Sequence, residues 1–114
     1  MYIVQGTTPV FRIQLTDADT GDAIAGSTYT AIKVTVKQEF NVISHDLQDG
    51  GVSVQDNGSL IFAMTAEETA SLHPGTCYVQ VTTQDKDGYI DKSRPDAYPV
   101  EVYAMLEGGP HVQY

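Results

Sequence analysis

The sequence predicts an all-β fold, a two-sheet antiparallel β-sandwich of about seven strands. A short helix is expected to cross between the sheets. Three observations predict this fold. Apolar and polar residues alternate with period two in several short runs. Turn-forming residues separate these runs about every 8–12 residues, and a single capped helical turn lies between two of them. A partly open barrel fits the same pattern and stays open as the alternative.

The stretch 60–84 contains the helix and the strands on either side of it. Thr65–Glu68 is a Thr-x-x-Glu capping box, in which each side chain satisfies the backbone N–H group of the other residue. Residues 73–75, His-Pro-Gly, stop the helix after two turns at most. The run 77–82 then alternates apolar and polar residues, which indicates a half-buried strand.

The same alternation predicts the other strands. They are expected at residues 11–15, 32–36, 52–54, 60–64 and 98–106, with a short edge strand around 40–43. Asn57-Gly58 between two alternating runs predicts a type I′ hairpin. Residues 17–28 and 85–97 are polar and rich in turn formers, so we expect loops there.

The inward-facing positions of these strands, together with one leucine that follows the helix, form the predicted core. They are Phe11, Ile13, Leu15, Ile32, Val34, Val36, Val54, Leu60, Phe62, Leu72, Cys77, Val79, Val81, Val100, Val102 and Leu106. A single domain spanning residues 1–114 is long enough to bury such a core without disulfides.

The charge balance argues against two classes of partner. Fifteen acidic residues against six basic ones give a net charge of −9. Nucleic-acid binding needs a basic patch, and anionic membranes attract basic rather than acidic segments. The first residues lack the features of a signal peptide, and no window approaches about 18 apolar residues. We therefore expect synthesis in the cytoplasm, with no nucleic-acid and no membrane partner.

No catalytic or cofactor-binding motif stands out. The single cysteine, Cys77, lies on the apolar face of a predicted strand and is expected to be a buried thiol. The histidines, His45, His73 and His111, are far apart and fall in predicted loops or the tail. There is no Gly-x-Ser-x-Gly, His-Glu-x-x-His or P-loop sequence. The sequence thus predicts a non-enzymatic protein without a cofactor.

Two acidic loops raise a calcium hypothesis. Their carboxylates are Asp17, Asp19 and Asp22 in the first loop and Asp85, Asp87 and Asp91 in the second. Clustered carboxylate oxygens suit Ca²⁺, but both loops lack the glycine and the distal glutamate of an EF-hand. Aspartate and glycine are also the residues that β-turns select. We expect ordinary turns and no metal, with calcium as the minor alternative.

Outward aromatic residues indicate a protein interface. The alternation places Tyr78, Tyr103 and Met105 on outward strand faces, and Tyr114 is the last residue. Tyrosine and methionine are enriched in protein–protein interfaces. The alternative is that the second sheet covers these tyrosine and methionine side chains. Three basic residues also fall on predicted wet faces: Arg12, Lys33 and Lys37. We expect an ordinary solvated sheet face there, with a small positive patch for a partner as the alternative.

Two segments resemble small β-sandwich proteins of tailed bacteriophages and prophages. Residues 64–81, MTAEETASLHPGTCYVQV, resemble the helix start and the following Val-Gln-Val strand of those proteins. Residues 98–109, YPVEVYAMLEGG, resemble their last strand and its Leu-Glu-Gly end, and residues 3–9 are similar to their starts. The resemblance implies an immunoglobulin-like sandwich that serves as a virion building block of the tail, baseplate or head surface.

We therefore expect a non-enzymatic virion structural protein, made in the host cytoplasm, that binds itself and other virion proteins and is an oligomer in the assembled particle. The alternative is a carbohydrate- or receptor-binding module that uses its tyrosines and an acidic loop. That hypothesis predicts glycan binding that falls when Tyr89 or Asp87 is changed.

Overall fold

Nine strands and one α-helix make up the regular structure of residues 2–17, 19–93, 95 and 98–105, which the computed structural model describes. The strands are β1 (Tyr2–Val4), β2 (Val10–Gln14), β3 (Tyr29–Gln38), β4 (Asn41–Asp46), β5 (Val52–Val54), β6 (Ser59–Ala63), β7 (Gly75–Asp85), β8 (Ile90–Lys92) and β9 (Tyr98–Tyr103). The helix is α1 (Ala66–Ala70), and Gly26–Thr28 form a 3-10 turn.

The strands form the two sheets of an all-β sandwich, which confirms the predicted fold class. The larger sheet has the order β1-β9-β7-β3-β4, with β8 paired to β7, and the smaller sheet has the order β2-β6-β5. Variable-type immunoglobulin sandwiches place their strands in a corresponding order. The described pairings are antiparallel except for β1 with β9, which run parallel and pair Ile3 with Val102.

Helix α1 crosses from β6 of the smaller sheet to β7 of the larger one, as predicted. The capping box is formed: the Glu68 backbone N–H donates to Thr65 Oγ1 at 3.2 Å, and the Thr65 N–H donates to Glu68 Oε1 at 2.9 Å. The helix ends at Ala70, before the His-Pro-Gly stop. Thr69 anchors it to the N-terminal segment, because its hydroxyl donates to the carbonyl oxygen of Thr7 at 2.7 Å.

One hydrophobic cluster fills the space between the sheets, and most of the predicted core lies in it. Leu15 and Val54 are only partly buried at its margin, and Leu106 lies outside the described residues. The core also contains four residues beyond the prediction: Ile3, Ile43, Val52 and Met64. Ile3 belongs to a strand of three residues, too short to show a period-two pattern, whereas Val52 shares the predicted inward face of Val54 in the strand expected at 52–54.

The β5–β6 hairpin differs from the predicted type I′ turn. Asn57 does not have a positive φ, whereas Gly58 has a φ of 83°. The Gln55 N–H donates to the Ser59 carbonyl oxygen at 2.9 Å, which closes a three-residue loop over 56–58. Such loops place a glycine in the left-handed conformation at their third position. A Cβ atom on Gly58 would lie 2.6 Å from the carbonyl oxygen of Ile24, so the site also needs glycine for space.

Candidate functional site

The outer face of the larger sheet carries a row of aligned side chains. The strand register places Val42 of β4 beside Lys37 of β3, Lys37 beside Tyr78 of β7, and Tyr78 beside Pro99 of β9. The inward residues of these strands pack into the core, so this row faces solvent.

Tyr103 and Tyr2 extend the exposed surface to the other edge of the sheet. Their rings meet edge to face with centroids 6.0 Å apart. Eight large hydrophobic side chains are exposed in the described ranges, and six belong to this face or to the turn beside it. One of the six, Ile90 of β8, lies beside Gln84 at the end near the acidic loops, and the other five lie towards the hairpin between β3 and β4 or towards strand β1. We call these five the outer apolar patch: Tyr2, Phe40, Val42, Tyr78 and Tyr103. Large exposed apolar patches mark interaction surfaces in soluble proteins.

The structure places two of the four predicted interface residues on the same exposed face. Tyr78 is 42% exposed and Tyr103 is 55% exposed, because the smaller sheet packs against the opposite face. The expected outward position of Met105 is wrong. Strand β9 ends at Tyr103, and Met105 beyond it is half-buried beside Gly6, where it fills the space that a Cβ atom would need. Tyr114 lies outside the described residues.

Phe40, the most exposed member of the patch, sits at the tip of the β3–β4 hairpin. Gln38 pairs with Asn41, so Glu39 and Phe40 alone make the turn. Glu39 has a φ of 53°, the only positive φ among the described residues other than glycine. A two-residue hairpin turn requires a positive φ at its first central position, which glycine adopts freely and glutamate adopts at a steric cost. The dipeptide Glu-Phe carries no turn signal, so sequence reasoning placed Phe40 in an edge strand.

The tip is braced from behind by the segment that follows α1. The Gln38 side chain donates from Nε2 to the His73 carbonyl oxygen at 2.7 Å and accepts from the His73 N–H at 2.6 Å. Asn41 Nδ2 donates to the Ser71 carbonyl oxygen at 3.0 Å. These bonds fix both ends of the two-residue turn, so Phe40 is held in solvent by an ordered support.

A cleft of about 360 Å³ lies beside the hairpin tip on the same face. Its lining includes Tyr78 and Pro95, and Lys37 and Glu39 contribute opposite charges to it. Lys33 and Lys37 share this face, in line with the alternative of a small positive patch. Arg12 does not belong to that patch, because β2 directs it outward from the smaller sheet.

The two acidic loops meet at the end of the sandwich opposite the hairpin tip. Asp17, Asp19 and Asp91 line one cleft together with Tyr29. Burial raises the pKa of Tyr29, and the charges of Asp91, Asp17 and Asp85 raise it further. The loops thus come together in space although about seventy residues separate them in the sequence.

The carboxylates of these loops accept hydrogen bonds from backbone N–H groups within their own turns. Asp17 Oδ1 accepts from the N–H groups of Asp19 and Thr20 at 2.8 and 3.1 Å, and Asp85 Oδ1 accepts from those of Asp87 and Tyr89 at 2.9 and 3.0 Å. Asp91 Oδ1 accepts from the Lys92 N–H, while Asp22 is exposed. Within the described ranges, no group of three histidine, cysteine or acidic residues is arranged to hold a metal ion.

The histidine and cysteine side chains lie apart. His45 lies in β4 rather than in a loop, and its ring nitrogens contact Asp49 and Glu68. Cys77 is fully buried in β7, and burial raises the pKa of its thiol to about 11, so it stays protonated at neutral pH. His73 is exposed in the loop after α1, and His111 lies outside the described residues.

The fold and the surface define the chain as an all-β sandwich with immunoglobulin-like strand order and an exposed apolar face on its larger sheet. Comparisons of the sequence with protein-family models and with curated proteins find no match. In the described part of the chain, no helix has the length and apolar character needed to cross a membrane.

Proposed function

We propose that this chain is a non-enzymatic structural protein of a tailed-phage or prophage virion, and that it works by protein–protein assembly through the outer apolar patch. The observation that carries the assembly role is the concentration of exposed apolar side chains on one sheet face. The virion setting comes from the resemblance of residues 64–81 and 98–109 to small sandwich proteins of phages.

The composition of the patch supports an assembly role. Tyr78 and Tyr103 are large, rigid side chains that lose little conformational entropy on binding, and tyrosines of this kind act as hot spots in interfaces. Lys37 and Thr76 on the same face can supply the polar rim that surrounds such residues. The patch reaches both edge strands of the sheet, β1 and β4, whose free backbone groups can add contacts by strand pairing.

The first test is the protein content of purified particles. Virions are prepared from the strain that encodes the chain, and their proteins are identified and counted by quantitative mass spectrometry. We expect the chain at a fixed copy number per particle that survives repeated banding. A chain that washes out of the particles contradicts the virion assignment.

The patch is tested by genetic replacement in the same strain. Tyr103→Ser removes an exposed ring of the patch and should lower incorporation into particles at least tenfold, the loss expected for an interface hot spot. Ile90→Ser, at an exposed position outside the patch, is the matched control and should be incorporated normally. Equal incorporation of both variants would count against the patch as the binding surface. Thermal melts of the two purified proteins check that both are folded.

A carbohydrate- or receptor-binding module is the second candidate, and the cleft between the acidic loops favours it. This cleft has a volume of about 380 Å³ and combines the rings of Tyr29 and Tyr98 with carboxylates. Sugar ligands use such stacking and hydrogen-bonding groups together. A glycan array with and without calcium tests it. Asp91→Asn changes a residue of the cleft lining and should reduce any signal, whereas Tyr89 and Asp87, named from the sequence, do not line this cleft. An array without a binder removes this candidate.

A further inference from the structure

We propose that the hairpin-tip end of the outer apolar patch is a self-complementary docking site, through which two copies of this chain bind each other about a two-fold axis. The inference rests on the proposed assembly function and names the partner for one part of the patch. In a two-fold contact, a residue i of one copy meets a residue j of the other, and j meets i in return. A surface can bind its own copy in this way only when it carries both halves of each contact.

Phe40 supplies the projecting half. It is fully exposed, at the end of a two-residue turn that Gln38 and Asn41 brace against the segment after α1. Because the backbone of the turn is already ordered, docking orders only the Phe40 side chain and loses little entropy. The positive φ of Glu39 is the conformation that a two-residue hairpin turn requires at its first central position, and it leaves Phe40 at the outermost point of the hairpin.

The cleft beside the tip supplies the receiving half. Its volume of about 360 Å³ is ample for one phenyl ring, and Tyr78 and Pro95 give it an apolar lining. The cleft borders the turn itself, since Gln38 and Glu39 also line it. Because the projecting ring and the cleft are neighbours on one face, a two-fold axis between two copies places each ring over the cleft of the other copy.

The charged side chains beside the cleft are also self-complementary across the proposed two-fold axis. Lys37 and Glu39 both line the cleft, and neither forms an ion pair within the described part of the chain. A two-fold axis that exchanges the two copies sets Lys37 of one against Glu39 of the other, twice. Such reciprocal pairs fix the register of an interface.

The overall charge distribution selects this face over the opposite end. The chain has a net charge of −9, so two copies repel each other in most orientations. The loops with Asp17 and Asp85 lie at the end remote from the tip, whereas Lys33 and Lys37 project from the sheet face that carries the patch. Contact through this face keeps the acidic ends of the two copies apart.

The experiment measures the oligomeric state of the purified full chain by sedimentation equilibrium over a wide range of concentration. We expect a monomer–dimer equilibrium for the natural sequence. Phe40→Ser should raise the dimer dissociation constant at least tenfold, which corresponds to about 1.4 kcal/mol. Ile90→Ser, which removes an exposed side chain outside the patch, should leave the constant within twofold.

A charge exchange tests the reciprocal pairs. Lys37→Glu and Glu39→Lys should each weaken the dimer, because each places like charges against one another, and the double variant should restore most of the loss. A double variant weaker than either single variant, or an equal effect of Phe40→Ser and Ile90→Ser, overturns the proposed geometry. A natural chain that stays monomeric at millimolar concentration overturns the dimer outright. Its incorporation into particles, measured separately, would still support the proposed function.

Discussion

The Nε2 atom of His45 lies 2.6 Å from Oε2 of Glu68, which ties strand β4 to the capping box of α1. The other ring nitrogen, Nδ1, lies 3.0 Å from Oδ2 of Asp49. A neutral imidazole has a single N–H, so only the protonated ring donates to both carboxylates. Gly51 makes room for this ring, since a Cβ atom there would lie 2.6 Å from Nδ1.

This contact predicts that the folded protein becomes less stable as the pH rises. Burial lowers the pKa of His45, but the hydrogen bonds to Asp49 and Glu68 outweigh it and the pKa is raised overall. A raised pKa gives stability that is fully present below about pH 6.5 and is lost as the pH rises through the folded-state value. We expect the melting temperature to fall as the pH rises above about 6.5. His45→Gln should flatten that decline, and an unchanged slope would show that another group is responsible.

The same cluster predicts a second loss in acid. Burial raises the pKa of Glu68, but hydrogen bonds from the Thr65 backbone and from His45 lower it overall, and the Gly51 backbone N–H lowers that of Asp49. Lowered carboxyl pKa values give stability that is present above about pH 4.5 and is lost as the pH falls through the folded-state values. Glu68→Gln should reduce the acid-side slope in thermal melts, whereas Glu67→Gln, exposed on the same helix, should not.

The capping box predicts a cost for removing one hydroxyl. Thr65→Ala leaves the Glu68 backbone N–H without its partner and should lower the free energy of unfolding by about 1 kcal/mol. Thr65→Ser keeps the acceptor oxygen and should lie within a few tenths of a kcal/mol of the natural chain. Urea denaturation of the three proteins measures the difference. Equal losses for alanine and serine would mean that the Thr65 methyl group, not the cap, matters.

The hairpin tip predicts a stabilising substitution. Glu39→Gly removes the steric cost of the positive φ and should raise the free energy of unfolding by up to about 1 kcal/mol, after the entropic cost of glycine. Phe40 does not share this conformation, so Phe40→Gly should bring no gain. A destabilised Glu39→Gly variant would mean that the turn is unstrained.

The burial of Cys77 predicts that its thiol reacts only when the protein unfolds. Cys77 is fully buried and the pKa of its thiol is raised to about 11, so a thiol-specific reagent should not label the native protein at neutral pH. Labelling should appear together with the urea transition. Rapid labelling without denaturant would reveal a local opening of β7.

Local patterns in the sequence predicted the parts of the fold that neighbouring residues control. The Thr65–Glu68 capping box spans one helical turn, and the alternation along β7 separates Val79 from Tyr78 within the strand itself. Faces could therefore be predicted without knowing the neighbouring strands. The β3–β4 turn could not, because Glu39 and Phe40 have no turn preference and their conformation follows from the bonds between Gln38 and His73, thirty-five residues apart.

The sequence by itself determined the sandwich class, the wet and buried faces of the main strands and the capped helix between the sheets, because each depends on residues only a few positions apart. The tertiary structure alone decided which exposed residues share a surface. Tyr2 meets Tyr103 through a parallel pairing of the first and last strands, and Val42 comes into one row with Tyr78 through the registers of β4 with β3 and of β3 with β7. Each strand can pair with many strands that are distant in the sequence. Period-two alternation specifies which face of a strand is buried but not which strand lies next to it.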